Sequence, residues 1–297
     1  VYMNGSWGFS SNPDTKPESV RTVLEAATAN AAFLDSRERK GKKPLPVVAA
    51  ESVNDFSTKK PRLSQKALAD FVREVDAHIV SKYPKLASRT VNLNCLDMEK
   101  TLLTSDGSYS HSMIPRSIVS VSLSLEKDGQ PVELYKSFGG LGQFEDVFSE
   151  PSALYEAIAQ VYEHVSRKSE GVYAEAGLQT CVLDADLAGI LAHEAIGHTT
   201  EADLVMGGSV AGPLLGKQAA SELVTLVDFA NEFGGKTCPV PVYIDDEGTK
   251  AEDAVIIDKG ILKGYMHNKE SAAQFGVAPT GNARAYQFSD EPLIRMR

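Results

Sequence analysis

From Pro17 to Leu34 the apolar residues Val20, Val23, Leu24, Ala27, Ala31 and Leu34 recur at three- and four-residue spacing, which predicts an amphipathic helix. The stretch Arg37 to Pro46 is polar and basic and reads as a solvated connection. Ser64 is placed to cap a second helix, whose stripe runs Leu68, Phe71, Val72, Val75 and Ile79 and which should stop before Pro84. The period then falls from 3.6 to 2. Val91, Leu93 and Cys95 alternate with polar residues, and Val119, Val121, Leu123 and Leu125 alternate with Ser120, Ser122 and Ser124. Asp106-Gly107 and Asp128-Gly129 are hairpin turn signals. Helical spacing returns over Ser152–Val165, with Leu154, Ile158, Val161 and Val165 on one face.

This order predicts an α+β fold, with N-terminal helices and an antiparallel sheet in a domain spanning 1–172. After the polar stretch Ser169-Glu170-Gly171 a second, mostly β domain is expected over 173–297, carrying one helix from Ala185 to about His198. Its strand-like runs are Gln179–Leu183, Leu223–Phe229, Val240–Ile244 and Val255–Met266, the last broken by the turn Asp258-Lys259-Gly260. A short helix, Lys269–Phe275, precedes the loop Pro279-Thr280-Gly281-Asn282. The chain opens on strand-like Val1-Tyr2-Met3 and closes without a polar tail, so the first domain is expected to be incomplete at its start and the second at its end.

Composition narrows the classes. With 42% hydrophobic and 24% charged residues, the chain falls in the globular range, not the disordered one. Thirty Lys+Arg against forty Asp+Glu give a net charge of -10, which repels a phosphate backbone and argues against a broad nucleic-acid face. No apolar run approaches the ~20 residues of a membrane span. Three cysteines, Cys95, Cys181 and Cys238, form no disulfide framework and suit a reducing, cytoplasmic setting.

The segment that carries chemistry is Leu191-Ala192-His193-Glu194-Ala195-Ile196-Gly197-His198. Two histidines with a glutamate after the first are the ingredients of a zinc hydrolase helix: neutral imidazoles suit zinc, and the carboxylate can take a proton from an acidified water. The common version spaces its histidines at i and i+4. Here they stand at i and i+5, roughly 140° apart around an ideal helix at ~100° per residue. Gly197 offers a remedy if the helix bends or ends there. The bland alternative makes His193 and His198 unrelated, one packed and one solvated, with Glu194 a solvated carboxylate. Against it, a helix bearing Leu187, Ile190, Leu191 and Ile196 is a poor place to bury three polar side chains without a shared partner. A third protein ligand is needed. Glu201, Asp203, Cys238 and His267 are the candidates, and the spacing selects none of them. Glu201 and Asp203 are also placed to hydrogen-bond an imidazole from behind.

The run His193 to His198, followed by Glu201 and Asp203, resembles the TldD/PmbA family in its TldD-like metalloprotease branch. Further blocks are similar in order: Asp245-Asp246-Glu247-Gly248-Thr249, Gly260 to Met266, Pro279 to Asn282, and Arg295-Met296. Gly139-Gly140-Leu141-Gly142-Gln143-Phe144 resembles that family's glycine-rich strand end, and it lacks the Lys-Ser/Thr of a phosphate loop. The resemblance implies zinc as cofactor, His193 and His198 as ligands, Glu194 as base, and a cysteine ligand beyond Arg297, a place that none of the three cysteines takes. It further implies a cytoplasmic metallopeptidase that cleaves unfolded or extended peptides in maturation or degradation. A TldE/PmbA-like partner subunit or a homo-oligomer is implied, with no nucleic-acid or membrane partner. On that footing these 297 residues alone should hold zinc weakly or not at all, and Gly197→Val should harm activity more than stability. A dipeptidyl-peptidase-III-like enzyme shares the spacing, but its downstream glutamate motif is missing from this sequence. The alternative from another class is a non-catalytic binding or regulatory subunit with vestigial histidines.

Overall fold

Ser64 accepts the Ala67 amide at 3.2 Å and opens the helix Gln65–Lys82, as its position before the apolar stripe predicts. The computed structural model describes residues 1–38 and 44–297, so half of the basic connection expected at Arg37–Pro46, residues 39–43, lies outside the described residues. The fold is α+β. Its compact units are interleaved along the chain, whereas the sequence predicts two consecutive domains, 1–172 and 173–297. One unit gathers residues 54–100 and 111–181, and the other gathers 1–53, 101–110 and 182–297. Local periodicity has no means of showing that early segments rejoin the later part of the chain.

In the 54–100/111–181 unit the long strand Tyr109–Lys127 pairs antiparallel with Gln130–Leu141, in register from Arg116↔Leu141 to Lys127↔Gln130. Asp128 and Gly129 join them at φ +52° and +74°, the left-handed pair that a tight two-residue hairpin requires and that glycine adopts without Cβ strain. Ser88–Leu103 is the central strand's other long neighbour. Val119, Val121 and Leu123 point inward and are fully buried, while the intervening Ser120 meets Ser137 across the outer face at 2.9 Å. Helix Gln65–Lys82 and helix Tyr155–Ser169 contribute Phe71, Val75, Ile79, Ile158, Val161 and Val165 to the same core. Each such side chain buried contributes roughly 1.5–3 kcal/mol, so helix and strand periodicities converge on one core.

The other unit is built on Leu226–Asp228, Ala254–Asp258 and Ile261–Leu262, a three-stranded sheet whose last turn holds Lys259 and Gly260 at φ +48° and +81°. Ile256, Ile257, Leu262, Met266 and Ile294 form its core. The predicted helix Lys269–Phe275 is present, capped by Asn268. Two predicted strands are not. Gln179–Leu183 is an exposed, irregular segment with Val182 97% exposed, because its apolar residues find no partner strand among the described residues. Val240–Ile244 is also irregular, apart from a bridge between Ile244 and Lys250. Helix Pro17–Glu38 forms as expected, yet of its stripe only Ala27 and Ala31 are buried. A Cβ on Gly8 would stand 1.9 Å from the Ala27 carbonyl oxygen, so that close approach needs glycine.

A buried ion pair ties distant segments together. The Arg297 guanidinium, with no exposed surface, donates from Nε to Asp228 Oδ2 at 2.9 Å, and its backbone amide donates to Oδ1 at 2.7 Å. Asn282 Nδ2 donates to the same carboxylate at 2.7 Å, and the Glu252 carbonyl receives another guanidinium hydrogen at 2.8 Å.

His267 lies buried against the rings of Tyr265 and Phe275, its Nδ1 3.0 Å from Ser271 Oγ. Burial pushes its pKa down to about 4, from an ordinary 6.5. The unfolded chain therefore binds a proton that the folded one refuses, and stability present above pH 6.5 is lost as pH falls toward 4. Asp245 and Glu247, raised by burial to about 6 and about 7, act with the opposite sign and lose their contribution as pH rises. Comparison with His267→Gln isolates the histidine. The wild-type advantage over that variant should shrink by about 3 kcal/mol between pH 6.5 and 4, read from urea unfolding at each pH. A constant difference would contradict a neutral buried His267.

Candidate metal centre

Asp184 caps the helix Ala185–Leu191, its Oδ1 accepting the Leu187 amide at 2.8 Å. The helix then changes pitch. Ala192–Gly197 is a π turn in which the His198 amide donates to the His193 carbonyl, five residues back, and His198–Thr200 tightens into a 3₁₀ turn. Carbonyls left over by these changes are met locally. Thr199 Oγ1 donates to the Ile196 carbonyl at 2.8 Å, and Thr200 Oγ1 to those of Ile196 and Gly197 at 2.9 and 3.0 Å. Main-chain bonds from Met266 N to Thr200 O and from Ala202 N to Met266 O, at 3.0 and 3.1 Å, fasten the end of the helix to the core.

The π turn reconciles the five-residue spacing with a common face. The His193 and His198 ring centroids are 4.8 Å apart at an interplanar angle of 82°. One ligand atom each from His193, Glu194 and His198 lie within 4.8 Å of one another. The sequence expects Gly197 to bend or end the helix. Instead its backbone is ordinary right-handed helix, φ −54° and ψ −59°, and the reason for glycine is contact. A Cβ there would lie 1.9 Å from Met296 Sδ. Gly197→Val is therefore first a packing change, and the expectation that stability would be spared does not follow from the geometry. The three polar side chains are also less enclosed than the apolar residues of their helix imply. The Glu194 and His198 side chains are 66% and 47% exposed, and Leu187, Ile190 and Leu191 are all exposed.

Glu201 is buried, and its Oε1 is 3.2 Å from His198 Nδ1. Burial raises its pKa, a shift that the neighbouring His198 opposes. A neutral His198 that donates from Nδ1 keeps the Nε2 lone pair, and Nε2 lies 3.9 Å from Glu194 Oε2. Asp203 is not drawn to an imidazole; its carboxylate accepts the Leu204 amide. The other candidates for a third ligand are elsewhere. His267 is enclosed by aromatic rings, and Cys238 sits in a loop with its thiol pKa raised by burial. Among the described residues, His193, Glu194 and His198 are the group of three metal-type side chains that converge. The Asp228–Arg297 pair and the Met296 contact have no signal in the spacing of the sequence.

Residues 176–297 match the family described as PmbA/TldA metallopeptidase C-terminal domain. Over its whole length the chain is 30% identical to a protein of Methanothermobacter thermautotrophicus named metalloprotease, and it spans 63% of that relative. Over 53% of its length it is 34% identical to a zinc metalloprotease TldD homolog of Saccharolobus solfataricus, spanning 34% of that protein. Its fold is similar to the crystal structure of TldE from Thermococcus kodakarensis, with a TM-score of 0.62 at 16% identity, over 95% of this chain and 62% of that one.

Proposed function

Since the chain belongs to the TldD/PmbA family, we propose that it is the TldD-like zinc-dependent peptidase part of its protein, acting on unfolded or extended peptides in maturation or degradation. The observation that carries this reading is the π turn that gathers His193, Glu194 and His198. Two imidazoles and a neighbouring carboxylate, open to solvent, fit a catalytic zinc by donor chemistry. His193 and His198 would hold the ion, with a third ligand from outside these residues. When bound, zinc supplies Lewis acidity toward a carbonyl oxygen and lowers the pKa of water to ~7. Glu194 takes the proton from the attacking water and returns it to the departing amine nitrogen. Glu201 keeps the His198 ring oriented through Nδ1. In this proposal the chemistry belongs to the unit that gathers 1–53, 101–110 and 182–297, and the 54–100/111–181 unit accompanies it. A TldE/PmbA-like partner subunit, or a second copy, completes a cytoplasmic assembly that contacts neither nucleic acid nor membrane; no helix among the described residues is long and apolar enough to cross one.

Elemental analysis of the intact protein, followed by incubation of an unstructured peptide with and without the partner subunit, tests the proposal. About one zinc per chain together with cleavage is expected. Absence of zinc, with no cleavage in either condition, would favour a non-catalytic binding subunit.

A further inference from the structure

Gly197 is the buried member of the π turn, while His193 and Glu194 lie on its exposed side. One side chain covers that glycine. A Cβ there would lie 1.9 Å from Met296 Sδ, 3.0 Å from Cε and 3.3 Å from Cγ, so the methionine lies against the main chain immediately before His198. Residues 295–297 are each fixed by hydrogen bonds. The Arg295 amide donates to the Asn282 carbonyl at 2.9 Å, and Asn282 Nδ2 donates back to the Arg295 carbonyl at 2.9 Å. Arg284 Nη1 donates to the Met296 carbonyl at 3.0 Å. The Arg297 amide is held by Asp228, whose carboxylate also pairs with the buried guanidinium.

The π turn is the rarer form of helix, and at α pitch the two histidines would stand ~140° apart, so the wide turn needs support. Beyond it, main-chain bonds to Met266 hold Thr200 and Ala202, and Thr200 Oγ1 meets the Gly197 carbonyl. Met296 supplies the contact on the turn's buried side. An unbranched thioether can follow a main-chain surface that a branched side chain would strike.

We propose that Met296 is a positioning residue for the metal centre. Its side chain, set in place by Arg284 and the Asp228–Arg297 pair, holds Gly197 at the depth that keeps the His193 and His198 rings on one face. The inference rests on the zinc-peptidase reading above.

Co²⁺ is the probe in the intact protein, because zinc, a d¹⁰ ion, has no d–d absorption. Met296→Ala should bind Co²⁺ at least about tenfold more weakly than wild type, with altered d–d bands; groups that orient metal ligands typically contribute ~10–100-fold in affinity. Met296→Leu, similar in volume, should recover affinity to within about threefold. Met296→Val, which lacks Sδ and Cε, carries the test should Met296→Ala fail to fold. Ile256→Val truncates the same core on another strand; it should lower the urea midpoint and leave Co²⁺ binding unchanged. Wild-type affinity and spectrum in a folded Met296→Ala or Met296→Val would overturn the inference. So would an equal loss of Co²⁺ affinity in Ile256→Val, which would reduce the effect to general stability. A wild type that binds neither zinc nor Co²⁺ would defeat the peptidase reading itself; a wild type that binds Co²⁺, with Met296 variants that bind it alike, would defeat only the inference about Met296.

Discussion

Glu194→Gln in the intact protein is expected to retain zinc and to slow peptide hydrolysis by about 10²–10⁴-fold, the usual contribution of a positioned general base. The amide keeps the shape of the side chain, but it cannot accept a proton. Glu194 is 66% exposed and lies within 4 Å of His198 Nε2, so a water can reach it from the same side as the imidazoles. His193→Ala should differ by losing both zinc and hydrolysis, because a site left with two protein ligands binds zinc poorly. Elemental analysis separates the two variants before any rate is measured. Equal cleavage by wild type and Glu194→Gln would remove Glu194 from the chemistry.

Asp228→Ala should destabilise the protein by about 3–5 kcal/mol, the typical cost of leaving a buried charge without its partner. The Arg297 side chain has no exposed surface through which water could replace the carboxylate, and the Asn282 amide keeps only the Arg295 carbonyl of its two acceptors. Asp228→Asn should fall between wild type and Asp228→Ala, since it keeps a hydrogen-bond acceptor while removing the charge. The midpoint of urea unfolding at neutral pH reads the effect. A loss below about 1 kcal/mol for Asp228→Ala would show that the guanidinium is satisfied by main-chain carbonyls alone, those of residue 228, Glu252, Thr280 and Gly281.

Where the order came from local rules, it was legible. The Asp128-Gly129 hairpin, the Ser64 cap, the alternation through Val119–Leu125 and the helix Lys269–Phe275 all follow from turn, cap and periodicity chemistry that acts within a few residues. Gln179–Leu183 shows the limit of such rules: an apolar run becomes a strand only if a partner lies beside it, and the run itself does not say whether one does. The histidine pair was legible as composition and awkward as spacing. A π turn differs from an α turn by one hydrogen-bond step, and no propensity announces it. Gly197 was singled out for the wrong reason, because its neighbour Met296 is 99 positions away in the chain. Asp228 and Arg297, 69 residues apart, could not be paired from either end.

The π turn bears on how this pair of ligands relates to the commoner four-residue spacing. One residue inserted into an ideal α-helix rotates everything after it by ~100°, which would carry the second histidine out of reach and turn the following face away from its core. Widening a single turn absorbs that rotation where it arises. His198 is thus one turn of helix from His193, whether the interval is five residues here or four elsewhere. Downstream, Thr200 and Ala202 keep their inward phase, and their main-chain bonds to Met266 are preserved. Deleting Ala195 would accordingly turn the motif into the four-residue form and leave both its ends in place, which makes the extra residue a unit that can be gained or lost without rebuilding the scaffold around it.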